Sequence, residues 1–207
     1  MEKKTKSNKK KEKALETKNK IYEAAKQLFK QHSYDSVSVD SIVKAAGVSK
    51  GTFYVHFESK DALAAALVND YTNLADIDYK SFLATLSDRK SVFDVLVLLA
   101  EEISGFIAED IGYENMSILY KAHLTKTINT IPAMSYSREV YKLFIEVLEK
   151  GVRQGELRED ISVDSLARHL ISAIRGITFE WCIRYPDFDL KEQVLDHFKI
   201  LLYGLRR

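Results

Sequence analysis

Cysteine occurs once in the 207 residues, proline twice and glycine eight times. The single thiol, Cys182, excludes an internal disulfide and any cysteine-cluster metal site. So few breakers favour long helices joined by short turns. Long apolar runs are missing too. Val95 to Ala100 is only six residues, between Asp94 and Glu101, against the roughly 20 that cross a bilayer. The charged N-terminus has no apolar stretch of signal-peptide length, so the expectation is a cytoplasmic protein with no membrane partner. The five histidines, at 32, 56, 123, 169 and 197, lack metal-ligand spacing. Neither a glycine-rich phosphate loop nor a nucleophile motif is present. The sequence therefore predicts no enzyme, no metal and no cofactor.

What is there begins with charge. The net value of +1 hides an asymmetry: residues 1–60 carry 14 Lys against 7 Asp/Glu, and residues 61–207 carry 17 Lys/Arg against 23 Asp/Glu. A basic head on an acidic body suits a protein whose head alone meets a polyanion. Nine of those lysines fall in residues 1–20, which also suits a merely solvated tail, so charge does not decide the matter. Residues 1–12 contain no hydrophobe after Met1 and are expected to be a disordered basic tail.

From about residue 13 the pattern turns helical. Ile21, Ala24, Ala25, Leu28 and Phe29 recur at the spacing of one buried stripe. Ser38 then reads as the N-cap of a second helix, with Val37 and Ile42 as a hydrophobic staple. Ser41 at the third helical position is expected to break the full capping box. Gly47 ends that helix, because glycine takes left-handed geometry without a Cβ clash. Ser49 caps a third helix from Lys50 to about His56, with Val48 and Phe53 as its staple. A longer helix followed by two short capped ones is the pattern of a three-helix helix-turn-helix unit. Amphipathic helices follow at about 60–86, 91–109, 114–127, 133–153, 162–184 and 189–205. The expected fold is all-α: a tail (1–12), a helix-turn-helix domain (13–60) and a larger helical body (61–207).

The third helix, KGTFYVH, has mixed chemistry. Phe53 and Phe57 share one face and can pack on the first helix. Lys50, Thr52, Tyr54 and His56 are left to other directions, and all can donate hydrogen bonds. Gly51 costs a helix ~1 kcal/mol against alanine, but lets another backbone approach closely. A DNA phosphate at the helix N-terminus would use that approach together with the helix dipole.

Residues 38–63, SVDSIVKAAGVSKGTFYVHFESKDAL, resemble the DNA-binding signature of the tetracycline-repressor (TetR) family, within a resemblance covering about residues 17–65. The resemblance implies that Lys50 and Thr52 reach base edges and that Gly51 permits close approach. It implies that Tyr54 meets a base methyl or a phosphate, and that His56 and Lys60 contact phosphates. Ser38 and Ser49 would be caps that also touch phosphate. Val39 and Asp40 depart from family members with Thr or Arg there, and Asp40 cannot favour a phosphate.

The body is expected to dimerise and to bind a small molecule. Leu166, Leu170, Ile174, Val194, Phe198 and Leu201, on the last two helices, are the candidate interface of a two-fold homodimer. Such a dimer would set two recognition helices ~34–36 Å apart, or a multiple, on a palindromic operator of double-stranded DNA. The region between 60 and 160 is rich in aromatic residues and methionine, and the resemblance implies an apolar effector cavity there. Phe106, Tyr120, His123 and Trp181 are its candidate lining. The function expected is a transcriptional repressor released by a small apolar effector. The alternative is a DNA-binding protein of the same fold without a small-molecule response, acting as an activator or in a structural or protein-regulated role.

Overall fold

The structure is a computed structural model that describes residues 2–32, 34–86, 90–126 and 130–206. Ten α-helices are set out among them: α1 (Glu2–Gln31), α2 (Val39–Ala46), α3 (Lys50–His56), α4 (Lys60–Thr85), α5 (Val92–Phe106), α6 (Gly112–Thr125), α7 (Ile131–Met134), α8 (Glu139–Arg153), α9 (Val163–Arg184) and α10 (Leu190–Tyr203). A 3-10 turn, Tyr34–Ser36, joins α1 to α2, and a π-helical turn, Ile107–Ile111, joins α5 to α6. The only extended pairing among the described residues is a single bridge between Leu157 and Arg206. The architecture is all-α, with a helix-turn-helix unit at the N-terminus and a larger helical body after it.

Side-chain oxygens start α2, α3 and α4. Ser38 Oγ accepts from the Ser41 amide at 3.0 Å, Ser49 Oγ from Thr52 at 3.1 Å and Ser59 Oγ from Ala62 at 3.0 Å. Each satisfies an amide that has no partner within its helix. Ser41 does not break the capping box. Its hydroxyl accepts the Ser38 amide at 3.0 Å, the role usually filled by a longer Glu or Gln. A short hydroxyl reaches because the first turn brings it over the cap. Gly47 closes α2 at φ 65°, ψ 34°, the left-handed geometry that glycine adopts at least cost.

Two hydrophobic clusters organise the chain. The smaller gathers Ile21, Ala25, Val37, Ile42, Val43, Phe53, Phe57, Leu63 and Leu67 from α1 to α4. The larger runs through α4 to α10 and centres on side chains such as Leu99, Phe144, Leu166 and Phe198. Helix α4 feeds both, with Leu63 and Leu67 in the first, Val68, Ala75 and Tyr79 in the second, and Tyr71 against each. The limit expected at residue 60 thus falls where α4 begins, and the first two turns of α4 complete the smaller core.

Three expectations need correction here. The tail expected to be disordered at 1–12 continues α1 from Glu2. Lys and Glu are good helix formers and no Gly or Pro interrupts residues 2–31, so a helix nucleated by the buried stripe propagates back along the chain. The single helix expected at 133–153 is two, because Ser135 Oγ draws the Ser137 amide at 3.0 Å and diverts the backbone between α7 and α8. Finally, Leu166, Leu170, Ile174, Val194 and Phe198 are at most 4% exposed in the single chain. They pack the core of one subunit, with Leu166, Leu170 and Leu201 also lining a groove between α9 and α10; only Leu201 keeps partial exposure. The strongest apolar stripe of a helix goes first to its own core. The apolar residues left outside on these helices are Phe179, Ile183, Ile200 and Tyr203.

Packing of α8 against its neighbours depends on a missing side chain. A Cβ on Gly151 would lie 2.6 Å from Leu157 Cδ1 and 2.9 Å from Val92 Cγ1. Gly151→Ala should therefore overpack this junction and lower unfolding stability by about 1–3 kcal/mol. Chemical denaturation is the check, and unchanged stability would refute the close approach.

Candidate nucleic-acid interface and effector cavity

Helix α3 is anchored from behind. Phe53 is fully buried and Phe57 is 6% exposed, with ring centroids 5.8 Å apart, so this face is fixed to the α1–α2 core. The opposite face is open. Tyr54 and Val55 are 52% and 79% exposed. Lys50 and Gly51 are exposed, and Thr52 and His56 half-buried. A Cβ at Gly51 would meet nothing closer than Ser49 Oγ at 3.9 Å, so no packing within the chain calls for glycine there. The Thr52 hydroxyl lies 2.8 Å from Ser49 Oγ, which steadies the first turn.

Two lysines are engaged in ways the sequence did not reveal. Lys50 Nζ sits 2.9 Å from Asp40 Oδ1 and 3.1 Å from Oδ2, bridging α3 to α2. The Asp40 hydrogen bond and charge raise the lysine's pKa, so it stays an ammonium. Asp40, which cannot favour a phosphate, instead holds a base-reading candidate at the front of the helix. Lys60, expected to contact phosphate, has partners within the chain. Its ammonium donates at 2.8 Å to both the Tyr34 and Val37 carbonyls and lies 3.9 Å from the Tyr34 ring centroid. A half-buried ammonium satisfied in this way serves as an internal clamp on the α1–α2 turn. The Tyr34 hydroxyl donates to Asp61, and its amide donates to Glu114 Oε2 at 2.5 Å, joining that turn to α6. Burial, then the Asp61 carboxylate, holds the Tyr34 phenol above its ordinary pKa, so it remains a donor.

A cavity of about 80 Å³ lies in the body between α4, α5, α6, α8 and α9. Phe106 and Tyr120 line it, as expected. His123 and Trp181 do not. His123 Nδ1 is 2.6 Å from Thr130 Oγ1, and Trp181 packs edge-on to Tyr113 and Tyr185 with centroids 6.0 and 5.6 Å away. Both sit where a local polar or aromatic partner holds them, and sequence position alone could not show which side of the helix that was. Sequence reasoning missed the two cations in the wall, Arg138 and Arg175. Arg138 forks onto Asp76 of α4, with Nε–Oδ2 at 3.1 Å and Nη2–Oδ1 at 2.5 Å, and donates to the Ala133 carbonyl at 3.0 Å. Asp76 is 4% exposed, so the pair is buried and bidentate. Their 62-residue separation left no local signal.

Lys60→Ala should lower the stability of the free protein by about 1.5–3 kcal/mol, the cost of losing hydrogen bonds to a charged group. Thermal and urea unfolding without DNA read this directly. A variant as stable as the parent would return Lys60 to the surface role first expected of it.

Comparison with known proteins agrees with this geometry. Residues 21–67 match the family described as "Bacterial regulatory proteins, tetR family". The regulator AcrR of Shigella flexneri is 25% identical over 203 residues, covering 95% of this chain and 92% of its own. The repressor KstR2 of Rhodococcus jostii is 26% identical over 152 residues, covering 72% of each. The FadR repressor of Thermus thermophilus, solved in complex with lauroyl-CoA, superposes with a TM-score of 0.66 at 24% identity, over 92% of this chain and 96% of that one. These proteins are named as transcriptional regulators or repressors, and among the described residues no helix is long and apolar enough to cross a membrane. Residues 21–67, which hold the capped α2–α3 pair, match the tetR family of bacterial regulatory proteins, and over most of its length the chain is similar to transcriptional regulators.

Proposed function

We propose that the chain is a cytoplasmic homodimeric repressor that binds a palindromic operator and leaves it when a small, mostly apolar ligand occupies the body cavity. The observation that carries this reading is α4. Its first turns complete the core behind the recognition helix, and its later turns supply Tyr79 to the cavity wall and Asp76 to Arg138. A ligand that prefers a different placement of that wall would shift α4, and with it the spacing of two recognition helices. The shift is bounded by the ligand's differential affinity for the two states.

In this reading Lys50 and Thr52 approach base edges, Tyr54 meets a base methyl or phosphate, and His56 and the Ser38 and Ser49 caps lie near the backbone. A Lys50 reading guanine would contribute ~1–3 kcal/mol of discrimination against a wrong base. The exposed Phe179, Ile183, Ile200 and Tyr203 supply apolar surface for pairing through α9 and α10.

One observation favours the alternative, a regulator of this fold without a small-molecule response. The cavity of about 80 Å³ is well below the several hundred Å³ usual for ligand sites. A molecule as long as lauroyl-CoA does not fit it as it stands. The π-helical turn supplies Ile107 and Ile111 to the wall and the four-residue α7 supplies Ala133 and Met134, so short segments rather than long helices bound the space. Displacement of operator by cavity-binding compounds separates the two readings.

Selection of bound duplexes from random DNA tests the central proposal: a palindromic consensus supports it, and no preference at low salt refutes it. Tyr54→Ala should weaken binding to the selected site about tenfold or more (~1.4 kcal/mol) at unchanged melting temperature. Gly51→Ala should add about 0.5–1 kcal/mol of stability while weakening DNA binding, because the new methyl group meets only the duplex. Asp40→Asn should raise affinity more at low than at high salt, as one anion leaves the DNA-facing side. Each is read by fluorescence anisotropy beside a melting curve, and an unchanged affinity contradicts the assigned contact.

A further inference from the structure

The cavity wall carries two guanidinium groups, those of Arg138 and Arg175, with one carboxylate, that of Asp76, against the first of them. Arg138 consumes that carboxylate, with two contacts to Asp76 and a third to a backbone carbonyl. Arg175 has no such neighbour. Among the described residues no carboxylate lies within ion-pair distance of it. Its guanidinium lies 5.0 Å from the Tyr136 ring centroid. The backbone carbonyl of Arg175 accepts the Tyr120 hydroxyl at 2.9 Å, fixing this part of α9 against α6. Burial is the largest influence on the Arg175 pKa and lowers it; the Tyr136 phenol, which also hydrogen-bonds the guanidinium, raises it, and the positive charge of Arg138 lowers it. Arginine nevertheless stays charged in proteins. The site thus holds a positive charge with a phenol but no carboxylate as partner, beside an apolar surface of Phe106, Leu119, Phe144 and Ile174.

A second polar group faces the same space. Tyr79 lines the cavity and is 3% exposed. A partly buried cation without a counter-ion is costly. Chains tolerate one where a ligand completes it.

We propose that the effector is an organic anion whose carboxylate meets the Arg175 guanidinium and whose apolar body fills the cavity, with the Tyr79 hydroxyl as an additional donor. The inference rests on reading this cavity as the effector site. Arginine matches a carboxylate through two parallel hydrogen bonds, which gives orientation as well as affinity. Asp76 keeps Arg138 from competing for the anion. Binding also bears on α4, because a carboxylate drawn to Arg175 changes the field felt by the neighbouring Arg138–Asp76 pair.

The test titrates the full-length protein with benzoate, hexanoate and octanoate, each beside its uncharged amide, by calorimetry. At least one acid should bind, and its amide should bind about ten- to a hundredfold more weakly. Arg175→Met should remove that preference, and Arg175→Lys should keep part of it. In the ligand-free state Arg175→Met should melt no lower than the parent, because an unneutralised cation has been replaced by an apolar side chain of similar length. Failure of every acid at millimolar concentration, equal binding of acid and amide, a preference surviving in Arg175→Met, or a lowered melting temperature would each overturn the proposal. Parallel binding of the parent protein to its selected operator separates the two levels. Lost operator binding sinks the regulator reading itself, whereas intact operator binding without a carboxylate preference sinks only the anion assignment.

Discussion

One helix belongs to two cores. Helix α4 is 26 residues long, about 39 Å at the α-helical rise, and its apolar positions change allegiance between Leu67 and Val68. Neither cluster is complete without it. The smaller core cannot cover Phe53 and Phe57 without Leu63 and Leu67, and the larger loses Val68, Ala75 and Tyr79. Close-packed interiors transmit displacement rather than absorb it. In the proposed response, a change at the Tyr79 end of α4 reaches the core behind α3.

The N-terminal unit was legible in sequence because its determinants are local. Serine caps three residues from their amides, a glycine at a left-handed C-cap and two phenylalanines one turn apart all act within a short window. Even there, Ser41 shows the limit of pattern rules: a residue type outside the usual pair fills the capping role through geometry. Lys50 and Lys60 mark a second limit. Both read as free cations, yet one bridges to Asp40 ten residues back and the other clamps carbonyls 23 and 26 residues back. Such partners become neighbours only after the turns from α1 to α2 and from α2 to α3 have folded.

The body was legible as helices and hardly at all as a site. Apolar periodicity predicts that a face is buried but not against what, so the strongest stripes of α9 and α10 were assigned to a partner when they fill their own core. Phe106 and Tyr120 were found in the cavity wall because ring-rich segments tend to line interior space. Arg138, Asp76 and Arg175 come from three different helices and carry no motif. Their meaning lies in an uneven count of charges around one cavity, which appears only in three dimensions.

The contact between the Tyr34 amide and Glu114 gives the N-terminal unit a second point of attachment, away from α4. A body held at a single point can swivel in any direction, whereas one held at two can turn only about the line through them. In the proposed ligand response, a hinge along α4 would thereby be reduced toward one degree of freedom. Motion that would otherwise be spread over many orientations is channelled into one arc, so even a small displacement of the body has a defined sense at the far end.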